Sequence, residues 1–248
     1  ISNFVFFVAT SFVGSATVAI LRLTNNSWRT PIVRIAEIIS VAAIVMAGLT
    51  IIIDMGRPDR LLNLFIHARL QSPITWDVII VPTYIALSFL LLYFPLLPDL
   101  ALLKKYFSSK SPFLSKWYGR LSLNWTGSEA QKLIQSKSIK IIAVMIIPIG
   151  ILLQTIDAWL FSTTYRVGWD STNMGAYFIS GAFVAGVGAL ILAVCVVRKV
   201  RKIEDYITEY HFDKLGKFLV LACLTYLYFN INEYIDILLI LNINLNII

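Results

Sequence analysis

Charge is scarce in this chain. Only 14% of its 248 residues are Asp, Glu, Lys or Arg, against 58% hydrophobic, and the mean hydropathy is +0.78. A soluble globule of this length needs more polar surface than that, so a water-soluble domain is excluded and a bilayer is the expected solvent. Cysteine is scarcer still. Cys195 and Cys223 both lie inside apolar runs, which leaves no basis for a disulfide framework, a cysteine-ligated cluster or a zinc site. Histidine is as rare: His67 and His211 fall in stretches between apolar runs, so no membrane-embedded axial ligand is available and a haem-binding cytochrome is set aside. The first residues, from Ile1, are apolar, without a charged leader region or a small-residue cleavage site, so no signal peptide is expected and the native start is expected to lie upstream.

What the chain has in quantity is long apolar runs. Six are long enough to cross a hydrocarbon core, which takes roughly 20 residues: about 2–23, 32–53, 74–97, 138–161, 174–198 and 215–238. The last is interrupted by Asn230, Asn232, Glu233 and Asp236. The fold expected is an all-α integral membrane protein, an antiparallel transmembrane helix bundle. The net charge of +7 would point to nucleic acid in a soluble protein, but the basic residues lie between apolar runs, so no nucleic acid is expected. All but Arg57, Arg60, Arg69 and Arg166 of the 21 Lys and Arg fall on one side of the six spans. That side is assigned to the cytoplasm by the positive-inside rule, in a cytoplasmic membrane. The basic loop 98–138, with Trp117, Tyr118 and Trp125 interleaved, reads as an interfacial segment on anionic lipid or a partner contact.

Half of the 14 acids fall on the opposite, exterior side: Asp54, Asp59, Asp77, Asp157, Asp170, Glu233 and Asp236. An intramembrane acid pairs with a cation or handles protons, because an unpaired charge at mid-bilayer costs about 2.5–3.5 kcal/mol on insertion scales. In DMGRPDR, one reading has Asp54, Arg57, Asp59 and Arg60 cap the second span and pin a turn, with Gly56 at positive φ and Pro58 ending the helix. The other gives Asp54 and Arg57 a functional role. Asp77, after Trp76, either complements the dipole of the third span or serves chemistry. Gln154 and Asp157 share one face of the fourth span, and Arg34 and Glu37 one face of the second, the latter as a salt bridge or a proton relay. Gly181, Gly186 and Gly188 read as close helix packing, since no strand precedes them.

The segments RTPIVRIAEI, DMGRPDR, SPITWDVIIVPTY, LLPDLALLKK, YGRLSLNWTGSEAQ, VGWDSTNMGAYFISGA and IEDYITEYHFDKLGKFLVLACLTYLYFNINEY occur in order from Asn3 to about Tyr234. In these the chain resembles the NrfD/PsrC superfamily, the polysulfide reductase membrane subunits, and within it the branch of alternative complex III and sulfate-reducer transmembrane complexes. The resemblance implies two four-helix bundles, of which residues 1–163 would be one complete bundle and 164–248 part of a second, with further helices ordinarily following. It also implies a quinone site near the exterior face, beside an iron–sulfur subunit and a catalytic subunit of the same complex, with possible proton conduction in some members.

Carried onto this chain, the pattern assigns proton chemistry to Asp54, Asp77 and Asp157. It gives the quinone wall to Asn3, Arg57, Tyr84 and Gln154; His67, from its place in the exterior loop, is a further wall candidate, and Glu37 and Glu233 are candidates for a proton path. His67 has a second reading as a solvated loop residue. Three departures stand out: where relatives of this branch carry histidines, this chain has Phe12, Gln154 and Asp170. Phe can neither bond a quinone oxygen nor exchange a proton, and Gln bonds without titrating. If the site is active, carboxylates must do the proton work. The alternative is a redox-silent membrane anchor holding catalytic partners; a small-solute transporter is a weaker third reading, since no inverted repeat is visible.

Overall fold

The computed structural model describes residues 2–24, 28–54, 56, 66, 69, 71–165 and 173–245, the side chains of 163–165 and 236–245 excepted. Arg57, Asp59, Arg60, His67, Arg166 and Asp170 lie outside the described residues, as does the Asp236 side chain. The helices are α1 (Ser2–Leu23), α2 (Arg29–Asp54), α3 (Pro73–Phe107), α4 (Pro112–Leu121), α5 (Glu129–Tyr165), α6 (Met174–Arg201) and α7 (Glu209–Leu245). All but α4 are long and apolar enough to cross a membrane, giving six such helices among the described residues. The chain is an integral membrane helical bundle.

α1 is the axis of the bundle. It packs on α2, α5 and α6, while α3 joins α2 and α5, and α7 leans on α6. Of its membrane window 78% is buried, against 6% for α7. The cause is side-chain size: Ala9, Ser11, Gly14, Ser15, Ala16 and Ala19 let neighbours approach closely, the usual means of helix association where lipid removes the hydrophobic drive. Two contacts from facing glycines depend on this. A Cβ on Gly186 of α6 would lie 2.5 Å from Val13 Cβ, and one on Gly150 of α5 would lie 2.5 Å from the Phe12 ring. The packing role expected for Gly186 and Gly181 is what the structure shows, Gly181 facing Tyr226; Gly188 meets nothing within 4 Å.

Local signals explain the ends. Gly56 has φ +63°, the left-handed turn expected after α2. Pro73, after extended Ser72, opens α3. At the start of α5, Ser128 Oγ accepts the Gln131 N–H (3.3 Å) and Gln131 Oε1 accepts the N–H groups of Thr126 (2.9 Å) and Gly127 (3.1 Å), a variant of the capping box. Inside α3, Pro98 supplies no N–H for the carbonyl of Phe94; Gln135 Nε2 donates to that oxygen instead, at 2.7 Å. The stretch 98–138, read from composition as a loop, is mostly helix. α3 runs ten residues past its apolar span, α4 turns back along it, and α5 begins at Glu129.

Candidate functional site

The two ends of the bundle hold buried acids in contrasting settings. At the end where Lys and Arg concentrate, the Glu37 side chain of α2 is fully buried. The Arg22 guanidinium of α1 donates a short, charge-assisted hydrogen bond to Glu37 Oε1, and Arg34 Nη1 lies 3.6 Å from Oε2. Arg34 Nη2 also donates to Asp99 Oδ2 (2.8 Å) and to Pro95 O (2.9 Å) on α3. Three helices are thereby joined through one carboxylate. The pairing of Glu37 with Arg34 was legible as a shared helix face; the contribution of Arg22 was not, because it sits on a different helix and sequence spacing says nothing of how the two helices pack.

At the opposite end, Asp77 of α3 and Asp157 of α5 lie close enough for their charges to repel each other. Asp157 is 2% exposed. Among the described residues neither has a cation within ion-pair range. Asp77 is the fifth residue of α3, beyond the first turn in which a helix dipole acts strongly, and its Oδ1 is buried without a hydrogen-bond partner. Dipole compensation therefore accounts poorly for it. One turn below Asp157, Gln154 is fully buried, with neither Oε1 nor Nε2 bonded. Each such orphaned group costs about 1–3 kcal/mol, so their clustering calls for an explanation beyond packing.

Between the two ends, Phe12 and Tyr84 occupy the bundle centre. Phe12, fully buried, packs over Gly150 and edge-on to Phe183 at 5.3 Å between centroids. Tyr84, two turns from Asp77 along α3, is also fully buried; its hydroxyl bonds Ser15 Oγ (2.7 Å) and Ser11 Oγ (3.2 Å) of α1. Ser40 of α2 joins the same network, donating to Ser11 O at 2.9 Å. These serines were not singled out from sequence. The available signal was the i, i+4 spacing of Ser11 and Ser15 in an apolar helix.

The remaining sequence candidates are dispersed. Asn3 and Asp54 are exposed, on the first turn of α1 and at the last residue of α2. Glu233 is half-buried on α7, within electrostatic range of Tyr177, whose hydroxyl meets that of Tyr226 at 3.0 Å. Beside that tyrosine pair a cavity of about 290 Å³ opens between α1, α6 and α7, lined by Phe6, Ala9, Tyr177, Gly181 and Tyr226. Among the described residues there is no group of His, Cys, Asp and Glu arranged to hold a metal.

Comparison with known proteins adds the family. The model of the polysulphide reductase NrfD family matches residues 1–240. The chain belongs to the NrfD family. It is also 30% identical over 160 residues to a Halobacterium salinarum protein provisionally named as a membrane subunit of dimethyl sulfoxide reductase. That match covers 64% of this chain and 34% of the relative, so the chain spans about a third of the relative it matches. Within this NrfD chain, the Asp77, Gln154 and Asp157 group combines unbonded polar atoms on Asp77 and Gln154 with carboxyls that have no described cation in ion-pair range.

Proposed function

We propose that this NrfD chain is the quinone-interacting membrane subunit of a multi-subunit respiratory oxidoreductase. It exchanges electrons with an iron–sulfur partner at the Asp77 end, and that partner serves a catalytic subunit. On this reading the Asp77 end is exterior and the basic end cytoplasmic. Family membership and the name of the haloarchaeal relative support a membrane subunit of a redox complex. One observation carries the finer reading: Gln154 with both amide atoms unbonded, one turn from the buried Asp157, which faces a half-buried Asp77 whose Oδ1 has no partner.

Those groups fit a ring that presents carbonyl or hydroxyl oxygens. A quinone, when bound, supplies a two-electron, two-proton couple. The Gln154 amide is suited to donating a hydrogen bond to a ring oxygen, and Asp77 and Asp157 to accepting or returning protons. Asn3 and Asp54, exposed at the helix ends, are the remaining wall candidates among the described residues. Tyr84, its hydroxyl taken up by two serines, would support the site from below. Glu233, with the Tyr177–Tyr226 pair, offers a proton route on the α7 side; Glu37 would join such a route only by releasing Arg22.

A redox-silent anchor is the second reading, and Phe12 favours it: an aromatic ring fills the space over Gly150, at the position where relatives of this branch carry a histidine. Purification of the native complex from wild-type, Asp77→Asn and Gln154→Leu strains separates the two. On the first reading an iron–sulfur protein and a quinone co-purify, and Asp77→Asn lowers quinone-linked turnover by about 10²-fold with assembly intact. Intact assembly without quinone, and turnover indifferent to both substitutions, would establish the anchor instead.

A further inference from the structure

At the basic end, α4 folds back antiparallel along the extension of α3. Tyr93 Oη donates to Leu121 O at 2.6 Å, and the Phe107 and Tyr118 rings stack with centroids 5.6 Å apart. Between the two helices and the turn after α4 lies an open cleft of about 560 Å³. Lys104, Lys116 and Arg120 line it, with Ser108, Ser115 and Asn124. Among the described residues no carboxylate pairs with any of the three cations. Nor are they needed to cap α3: Ser108 Oγ donates to Lys105 O (2.7 Å) and Ser115 Oγ to Lys104 O (3.4 Å). The Lys104 stem runs over Gly119, where a Cβ would stand 3.4 Å from Lys104 Cε.

The rim says which anion suits such a cleft. At 100° per residue, Phe113, Trp117 and Leu121 share one face of α4, Lys116 and Arg120 the adjoining face, and Tyr118 the face against α3. Phe113 is 68% exposed and Trp117 50%. Leu123, at φ 47° and 66% exposed, extends the apolar rim past the end of the helix. A basic pocket bordered by outward-facing aromatic and aliphatic side chains, on the continuation of a membrane-spanning helix, matches the headgroup layer, where phosphate and acyl chain meet. A site for a free soluble anion has no use for that border.

We propose that the α3–α4 cleft is a binding site for an anionic phospholipid, its phosphate held by Lys104, Lys116 and Arg120 and its acyl chains lying along Trp117 and Leu121. The proposal is independent of the quinone reading.

Native mass spectrometry of the full chain in detergent, titrated with phosphatidylglycerol or with phosphatidylcholine of the same acyl chains, tests it. Phosphatidylglycerol should bind at about tenfold lower concentration, and Lys116→Ala/Arg120→Ala should abolish that preference. Lys116→Arg/Arg120→Lys should retain it, which separates lost charge from misfolding. Lys132→Ala should also retain it, because that ammonium already pairs with Glu129 at 2.9 Å. Equal binding of the two lipids, or an unchanged preference in the alanine double variant, would overturn the proposal. Displacement of phosphatidylglycerol by equimolar inorganic phosphate would overturn it too, by making a soluble phosphate the ligand.

Discussion

Glu37 and the Asp77–Asp157 pair lie at opposite ends of one bundle, and of these acids only Glu37 has a described cation within ion-pair range. Arg22 and Arg34 reach it from α1 and α2, and Arg34 carries the connection on to Asp99 of α3. At the other end two carboxyls approach each other, an amide stands unbonded one turn from one of them, and no described cation is in ion-pair range. An acid that a bundle buries for stability has cations within reach, as Glu37 does, although its Oε2 accepts no hydrogen bond. One set beside another acid with no described cation in range is held against stability, and such arrangements are where chemistry is to be sought.

Stability measurements on the purified protein can break that contrast. The largest effect is expected from Arg22→Ala, which leaves a buried carboxylate with only the more distant Arg34: about 3 kcal/mol lost, most of it recovered in Arg22→Ala/Glu37→Gln. A thermal midpoint unmoved by Arg22→Ala would remove the clamp from the basic end. Tyr84→Phe, in the hydroxyl network between the ends, should cost about 1 kcal/mol, since Ser15 keeps its bond to Phe12 O at 2.9 Å. A much larger loss would make the network, rather than the arginine clamp, the principal polar fastening. Smallest, and opposite in sense, is Gln154→Leu: replacing an unbonded amide by an apolar side chain of similar size should leave stability within about 1 kcal/mol or raise it. If Gln154→Leu destabilises as strongly as Arg22→Ala, the two ends are alike and the amide is structural.

Much of the fold was legible because hydropathy in a bilayer is a one-dimensional signal. Each of the six apolar runs became a helix, and Gly181 and Gly186 of α6 marked where helices touch. Helix ends were less legible. The residues from Asp99 to Phe107 and from Glu129 to Lys137 are polar enough to leave the membrane yet remain helical, since helix needs local hydrogen bonds and not an apolar surround. For the candidate site, the i, i+3 spacing of Gln154 and Asp157 gave a shared face directly, whereas the approach of Asp77 depends on how α3 packs on α5. The role of Arg22 was hidden for the same reason. Phe12 stood out only through the resemblance, as a departure from its expected pattern, and packing alone reveals that its ring takes the space left by Gly150.

The depth at which α1 is buried bears on how the protein assembles in the membrane. α1 precedes every helix that covers it, and Thr10, Ser11, Ser15 and Thr17 are all on it. Some of these hydroxyls can bond back to their own helix, as Thr10 does to Phe6 O at 2.8 Å, but Ser11 finds its partners on α2 and α3. Among the described helices, α1 must therefore wait in lipid with small, poorly anchored side chains until α2 arrives to pair with it. It is not covered over Val13 until α6 follows. The segment that organises the finished bundle is the one most dependent on later synthesis, so an interruption of insertion after α2 leaves behind a hairpin with its most adhesive face uncovered.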